Sequence, residues 1–212
     1  LRVLRQPSMW PVQLTAGLVG ISILGAQAPL STFAGTDPAN GFGLGLDASE
    51  RSYIIGAYLV AMIIGALLFP LVSRRTTPRI ALIAATATVA LGYLAFLVNN
   101  ATVVGVTLNM VVAGIGQEPS WRRPLGQTGV ATGLTNTTKT IGGAFASAIF
   151  AVVLAMSAGQ LVTETASSLA GYLVVFAICG GAAVVAALAL LVVPKLAFGD
   201  MPAEIVEPEP RG

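Results

Sequence analysis

The sequence predicts an all-α integral membrane protein built as a bundle of six transmembrane helices. Hydrophobic residues make up 55% of the 212 residues and charged residues only 9%, whereas about a quarter of an ordinary soluble domain is charged. The apolar residues form long runs, most of them near the ~20 residues that a helix needs to cross a bilayer. The six predicted spans cover residues 10–33, 48–72, 78–98, 101–116, 129–156 and 169–193.

The first span, residues 10–33, carries a stripe of small and polar residues. Spacings of four and three place these residues on one face of a helix. Such a face suits either close packing against another helix or the wall of a solute path, and both interpretations stay open. Pro29 lacks a backbone N–H and is expected to kink or break the helix. The stripe consists of Gln13, Gly17, Gly20, Leu24, Gln27 and Ser31.

Helix-start signals mark the second and third spans. Asp47 stands at an N-cap position with Glu50 three residues later, which is the capping-box pattern. Both acids are therefore interpreted as structural caps and not as proton carriers. Thr77 is predicted to cap the third span, with Pro78 at its first helical position.

The fourth run, residues 101–116, is short for a transmembrane helix. Its 16 residues would rise about 24 Å, less than the roughly 30 Å hydrocarbon core. The charged and proline-containing segment EPSWRRPLGQ follows it, so the fourth helix is predicted to be truncated.

The fifth span, residues 129–156, carries Lys139, the only charge inside a long apolar run. A lysine at a helix centre in lipid costs about 2.5–3.5 kcal/mol on insertion scales. One face of this helix is polar or small and comprises Thr132, Asn136, Lys139 and Gly143. The opposite flank is apolar and comprises Phe145, Ile149, Val152 and Val153. The polar face is therefore expected to meet protein or water and the apolar flank lipid, although Lys139 could instead snorkel to the cytoplasmic edge.

The last span is apolar apart from small residues, so much of it is expected to face lipid. Its single cysteine, Cys179, is interpreted as a buried small hydrophobe. Residues 195–212 are rich in proline and glutamate and are expected to form a disordered tail.

The distribution of basic residues predicts the orientation of the bundle. Six spans would place nine basic residues on one side and only Arg51 on the other. Lysine and arginine excess marks the cytoplasmic side, so both termini and the tail are expected to be cytoplasmic in a multi-pass protein of the cell membrane. The nine are Arg2, Arg5, Arg74, Arg75, Arg79, Arg122, Arg123, Lys195 and Arg211.

Composition also limits the chemistry. The chain contains no histidine, which excludes Ser-His-Asp, Cys-His and HExxH sites within it. No acid lies deep in an apolar run, and no metal-ligand cluster or phosphate-binding loop is evident, so neither an enzyme, a cofactor, a metal nor a nucleic-acid partner is expected. Transport uses inward polar side chains without covalent chemistry, whereas a packing or assembly subunit would use them only to join helices. The polar residues expected to face inward are Gln13, Gln27, Asn109, Thr135, Asn136 and Lys139.

Three stretches resemble the major facilitator superfamily, in particular its fourteen-helix drug:proton antiporters. The segment TGVATGLTNTTKTIGGAFASAIF, residues 128–150, resembles their penultimate span, in which a Thr/Asn-rich segment with a basic residue precedes Gly-Gly-Ala. Residues 10–33 resemble the first helix of their C-terminal half, and GIGQ, residues 114–117, resembles the middle of their fourth helix.

The resemblance implies the C-terminal half of a secondary transporter that exports drug-like small molecules and is proton-coupled when complete. It implies a lipid bilayer, a small-molecule substrate and a missing N-terminal half as partners, with self-association through glycine faces as the other route. The expected cavity-lining residues are Lys139, Asn136, Gln27, Asn109 and Thr135. The alternative is a non-transporting membrane subunit or a degenerate remnant of such a carrier.

The chain departs from the family pattern in two places. The basic part of the family's cytoplasmic loop motif is matched by Arg74, Arg75 and Arg79, but Ser73 stands where the family has an acid. The segment EPSWRRPLGQ replaces a further apolar stretch after GIGQ.

Overall fold

The structure, a computed structural model, describes residues 9–116, 128–158 and 168–192. Within these residues the chain is helical and contains no strand, so the all-α prediction is confirmed there. Each predicted span contains helix, and the first contains two helices. The helices are α1 (Met9–Gly25), α2 (Gln27–Gly35), α3 (Ala48–Arg75), α4 (Pro78–Ala95), α5 (Val103–Ile115), α6 (Thr128–Ala158) and α7 (Leu169–Val192).

Among the described residues, four helical segments are long and apolar enough to cross a bilayer, which is the pattern of a membrane protein. They are Gln13–Gly35, Ala48–Arg75, Thr135–Ser157 and Leu169–Leu191. The remaining apolar helices, in α4 and α5, are shorter, so the count of six spans remains a prediction. The charged segment after α5 and the tail at 195–212 lie outside the described residues.

The break between α1 and α2 has a local cause. The helix stops at Gly25 and resumes at Gln27. Gly25 lies four residues before Pro29, whose ring nitrogen cannot donate the hydrogen bond that the Gly25 carbonyl would accept. Regular bonding resumes with the Leu30 amide, which donates to the Ala26 carbonyl at 3.0 Å. The predicted helix break at Pro29 is confirmed, one turn before the proline.

The predicted caps are also present. The Asp47 carboxylate accepts hydrogen bonds from the Ser49 and Glu50 amides, and the Glu50 carboxylate accepts one from the Asp47 amide at 3.1 Å. The Thr77 hydroxyl accepts a hydrogen bond from the Ile80 amide at 3.3 Å. Both caps depend on residues within three positions of each other, which explains why the sequence predicted them.

Apart from α1 and α2, which follow one another along the first span, helices that are neighbours in sequence run in opposite directions. Helix α7 is antiparallel to α1, because Ser22 contacts Cys179 while Phe33, further along the chain, contacts Tyr172. Helix α4 is antiparallel to α7, because Arg79 at its start meets Leu190. Helix α6 is parallel to α1, since both are antiparallel to α7. This alternation is the one expected for a chain that crosses a membrane repeatedly.

Helix α5 packs between α3 and α4 through glycines. A side chain added at Gly65 of α3 would overlap the carbonyl of Ile115, and one added at Gly92 of α4 would overlap the backbone of Ala113. These close approaches leave α5 tightly held on two sides, with Val106 and Ala113 fully buried.

Helix α7 is buried along one whole face, which the sequence analysis did not predict. The buried residues of this face form the centre of the core, and the exposed residues are confined to the rest of the helix. The expectation that Cys179 is a buried small hydrophobe is confirmed, since it has no exposed surface. The buried face consists of Tyr172, Val175, Phe176, Cys179, Ala183, Ala186 and Leu190.

An aromatic cluster closes the end of the bundle at which α2 ends and α7 begins. Phe33 makes edge-on contacts with Phe96 and Tyr172 at ring distances of 5.0 and 5.4 Å. Phe42, from the glycine-rich loop before α3, lies 5.9 Å from Tyr172. Gly41 and Gly43 adopt positive φ angles of 80° and 92° on either side of Phe42, a conformation that glycine tolerates best. This glycine-rich loop therefore folds back onto the bundle.

Candidate functional site

The exposed surface of α6 has two regions of different chemistry, one after the other along the helix. One, the polar outer face, consists of Gly133, Asn136, Thr137 and Thr140, all exposed. The other, the apolar outer face, consists of Ile141, Phe145, Ile149, Val152 and Met156, which are 53–73% exposed. The apolar outer face can meet lipid, whereas the polar outer face needs water or protein. Of the predicted apolar flank, only Val153 turns inward, where it packs against the core.

The side of α6 that faces α1 packs against it so closely that glycine is required at the points of contact. A side chain added at Gly20 would collide with the main-chain carbonyl of Lys139. One added at Gly142 would collide with the carbonyl of Gly17, and one at Gly143 with the Leu24 side chain. The first-span stripe therefore packs against α6 over residues 13–24. Lys139 lies at the border of this contact and is half-buried.

A polar contact lies near the N-terminal end of the same interface. The Thr138 hydroxyl donates a hydrogen bond to the Gln13 side-chain oxygen at 2.7 Å. Among the described residues, the other amide atom of Gln13, Nε2, is buried and has no hydrogen-bond partner. Gln13 thus joins the site residues Lys139, Asn136 and Thr135 at one level of the bundle.

Among the other polar residues of α6, Asn136 exposes its side-chain amide at the surface of the helix. Asn136 is exposed, and its carbonyl accepts a hydrogen bond from the Thr140 hydroxyl at 2.9 Å. The Thr137 hydroxyl bonds in the same way to the Gly133 carbonyl at 2.9 Å. Thr135 is half-buried. The threonine hydroxyls thus satisfy backbone carbonyls of their own helix, and the Asn136 amide remains on the surface.

Gln27 is exposed but lies away from Lys139. It begins α2, just after Gly25, and a side chain at Gly25 would meet Ala146 and Phe150 of α6. Phe150 is eleven residues beyond Lys139, which is about 16 Å along a helix. Gln27 and Lys139 therefore do not share one binding position in this structure.

Asn109 lies in a different part of the bundle. It is only 5% exposed, and its amide nitrogen donates to the carbonyl of Asn99 at 2.8 Å. A side chain at Gly105 would collide with the Asn99 side chain. Asn109 thus fixes the turn between α4 and α5. Lys139 lies on α6, which packs on α1, so the structure does not bring Asn109 close to Lys139. The sequence signal for this role was the pair Asn99 and Asn100 at the turn.

The three loop arginines have two different environments. Arg74 and Arg75 end α3 and are exposed. The Arg79 guanidinium donates hydrogen bonds to the carbonyls of Leu190, at 3.1 Å, and Leu191. Carbonyls in the last turn of a helix lack intrahelical donors, so Arg79 caps the C-terminal end of α7.

Buried polar side chains of the described bundle donate to backbone carbonyls, either of a neighbouring helix or of their own. The Ser22 hydroxyl bonds to the Cys179 carbonyl at 2.7 Å, and the Thr86 hydroxyl bonds to the Leu82 carbonyl at 2.8 Å. In the part of the chain that the structure describes, no three His, Cys, Asp or Glu residues are grouped to hold a metal ion. The exposed polar side chains closest in sequence to Lys139, those of Asn136, Thr137 and Thr140, all lie on α6.

Comparison of the chain with known protein families, with curated proteins and with solved structures finds no match.

Proposed function

We propose that this chain is one half of a secondary transporter for small molecules, resembling the drug exporters of the major facilitator superfamily. The observation that carries the proposal is the polar outer face of α6. Asn136, Thr137 and Thr140 are exposed on a helix that is otherwise apolar where it is open. In hydrocarbon such a face needs water or protein beside it, and a solute path supplies both.

The buried polar side chains of the described bundle favour a solute path along its outer surface and not through its interior. Ser22, Thr86 and Asn109 are buried, and each donates to a backbone carbonyl. Side chains that are buried and bonded to the backbone in this way are closed to a solute. A path along α6 needs a second wall, and in alternating-access carriers an opposing bundle of helices provides it.

The complete carrier would consist of this bundle and an N-terminal half that supplies the proton-coupling acids. Self-association is the less favoured route, because a second copy would bring no such acids. Of the glycines expected to serve it, Gly143 is already packed against Leu24, whereas a side chain added at Gly133 would meet no atom within 4 Å.

The alternating helix directions also agree with a multi-pass protein of the cell membrane whose termini are both cytoplasmic. In that orientation the basic segment containing Arg74 and Arg75 faces the cytoplasm, as lysine and arginine excess requires. The aromatic cluster around Phe33 would then close the outer end of the bundle.

The short α5 favours a second candidate, a non-transporting membrane subunit or a degenerate remnant. Its 13 residues rise about 20 Å, two thirds of the hydrocarbon core. Transport measurements separate this candidate from the first.

The test is to reconstitute the purified 212-residue chain in liposomes, alone and with the N-terminal half of a fourteen-helix drug:proton antiporter. A pH gradient is then imposed in the presence of a lipophilic dye, which is cationic in one set of liposomes and anionic in a parallel set. We expect dye movement above protein-free controls only when both halves are present. Movement with the chain alone would show that one half is sufficient, and a stable two-half complex without movement would favour the non-transporting subunit.

A further inference from the structure

We propose that Gln13 and Lys139 form a binding position for an oxyanion group, such as a carboxylate or a sulfonate, on the transported solute. The inference deepens the proposed function and rests on it, because it names the class of solute. The position is the border between α1 and α6 near the N-terminal ends of both helices.

The first observation is the unpartnered amide of Gln13. Its oxygen accepts a hydrogen bond from Thr138, but its Nε2 is buried without a partner among the described residues. A buried polar group without a hydrogen bond is unusual in a native structure and calls for an explanation. An Nε2 atom can only donate, so its missing partner is an acceptor such as a carboxylate oxygen.

The second observation is the position of Lys139 beside the same contact. Lys139 follows Thr138 in the chain, and its backbone is held against α1 by Gly20. A helical side chain leans towards the N-terminal end of its helix. Because α1 and α6 are parallel, that direction runs from the level of Gly20 towards the level of Gln13. An ammonium group has three donors and no acceptor, so both side chains offer hydrogen-bond donors at one level.

The lack of acidic residues on α1 and α6 favours a ligand with a negative charge. Neither α1 nor α6 contains an aspartate or a glutamate, so no carboxylate on these two helices repels an anion or attracts a cation. The nearby apolar outer face, which begins at Ile141, suits an aromatic or aliphatic body. The favoured solute is therefore an amphipathic organic anion and not a lipophilic cation.

Access to this position requires movement. Gln13 Nε2 is closed to solvent in this structure, so an anion reaches it only when α1 and α6 separate at their N-terminal ends. Opening at one end of a helix pair is compatible with a carrier that exposes its binding position to one side of the membrane at a time.

The test measures binding of three probes with one ring system: 2-naphthoate, neutral 2-naphthamide and cationic 2-naphthylmethylamine. The full chain is placed in phosphatidylcholine nanodiscs, and thermal shifts and Kd values are measured at neutral pH. We expect 2-naphthoate to bind at least tenfold more tightly than the other two probes. Equal binding of the acid and the amide would overturn the proposal.

Variants assign the preference to the two residues. Lys139→Ala and Gln13→Leu should each weaken 2-naphthoate binding about tenfold without changing 2-naphthamide binding. Because Gln13→Leu also removes the acceptor of the Thr138 hydroxyl, thermal unfolding of each variant without ligand is measured to show that it is folded. Gln27→Leu is the matched control, since Gln27 is an exposed glutamine of the same sequence stripe, and it should bind like the parent. Parent-like binding by Gln13→Leu would overturn the role of Gln13.

Two further experiments are needed. The first distinguishes a lipid headgroup from a solute as the source of the oxyanion, and the second distinguishes failure of the anion preference from failure of the transport function. If phosphatidylglycerol nanodiscs alone reproduce the thermal shift and compete with 2-naphthoate in a Gln13-dependent way, the ligand is a lipid headgroup and the solute assignment is wrong. In the two-half liposomes, movement of the cationic dye without movement of 2-naphthoate would overturn the anion preference and leave the transport function standing. Movement of neither probe would count against the transport function, while the binding data would still decide the oxyanion position.

Discussion

At the scale of single residues, the contact between α1 and α6 depends on glycines with no room for a side chain. Gly20 lies against the backbone of Lys139, and Gly17 lies against Gly142. Small residues let helix backbones approach closely, which is a main source of helix association within membranes. Lys139 is therefore positioned by the glycine opposite it as much as by its own helix.

Replacing Gly20 with alanine should separate these helices and destabilise the bundle. The added methyl group would overlap a main-chain carbonyl of Lys139, which cannot move aside as a side chain can. Overpacking of this kind costs about 1–3 kcal/mol. The free energy of unfolding in mixed micelles, titrated with a denaturing detergent, measures the effect.

Gly181→Ala is the control for this substitution. Gly181 also lies inside a helix, but a side chain there would meet no atom within 4 Å. Alanine is favoured over glycine in a helix by about 0.8–1 kcal/mol, so this variant should be at least as stable as the parent. Equal destabilisation by both variants would contradict a specific role for Gly20.

The N-cap of α3 gives a pH-dependent prediction at the same scale. Hydrogen bonds from the Glu50 amide, and then from the Ser49 hydroxyl, lower the pKa of Asp47 from its ordinary value of 3.8. Because the pKa is lower in the folded chain, the carboxylate stabilises the fold at pH values above 3.8. That contribution is lost as the pH falls through the folded pKa.

Asp47→Asn keeps the capping oxygen and removes the charge, so it isolates this contribution. We expect the Ser49 and Glu50 amides, which donate to Asp47, to exchange faster in the variant than in the parent at neutral pH. The difference should shrink below pH 4 and vanish below the folded pKa of Asp47. A difference that does not depend on pH would show that the charge plays no part.

At the scale of the helix, Arg79 connects the beginning of α4 to the end of α7. Its guanidinium bonds to two carbonyls in the last turn of α7. A cation at this end also interacts favourably with the helix dipole. The basic segment before α4 therefore contributes a structural contact through Arg79, in addition to the charge asymmetry that predicts its side of the membrane.

Arg79→Ala should release the last turn of α7. Hydrogen bonds from a charged donor contribute about 1.5–3 kcal/mol each when well formed, and Arg79 is half-exposed, so we expect a loss of about 1–2 kcal/mol in unfolding free energy. Backbone amides near Leu190 should exchange faster. Arg75→Ala, at an exposed arginine of the neighbouring helix, should leave the exchange of α7 unchanged, and equal effects would show that only the charge matters.

The elements differ in how far the sequence could predict them. The Asp47 cap, the Thr77 cap and the break before Pro29 depend on residues within one helical turn, so the sequence predicted all three. The buried face of α7 has no such signal, because its exposed and buried residues are both apolar. Phe42 likewise turns inward only because Phe33 and Tyr172, distant in sequence, lie beside it.

The candidate site likewise combines features that local spacing predicts with features that depend on how the helices pack. The sequence placed Lys139 and Asn136 on neighbouring turns of one helix, and the structure brings Gln13 of α1 into contact with Thr138, the residue before Lys139. Spacing alone could not separate Gln27 and Asn109 from this group, because their distance from Lys139 depends on how the helices pack. Nor could spacing show that the Gln13 amide is left with one unpartnered atom.

At the scale of the whole molecule, the alternating helix directions place the helix ends on two sides. The turn between α2 and α3 and the turn between α4 and α5 lie at one end of the bundle, and the turn between α3 and α4 lies at the other. If every helix crosses the membrane, the first two turns are outside and the third is cytoplasmic. The apolar parts of α4 and α5 are shorter than the four segments that are long enough to span, so the turn between α4 and α5 is the informative position.

Single cysteines at Ala39, Ala101 and Thr76 test this arrangement in intact cells. The background is Cys179→Ala, which removes the buried native thiol, and all three chosen positions are exposed. An impermeant thiol reagent should label Ala39→Cys and Ala101→Cys from outside, and should label Thr76→Cys only after the cells are permeabilised.

Ala39 and Thr76 lie at opposite ends of α3, whose 28 residues span about 42 Å, so their different labelling would show that α3 crosses the bilayer. Labelling of Ala39→Cys alone would show that α4 and α5 do not reach the outside, and labelling of Thr76→Cys in intact cells would contradict the cytoplasmic position of the basic segment.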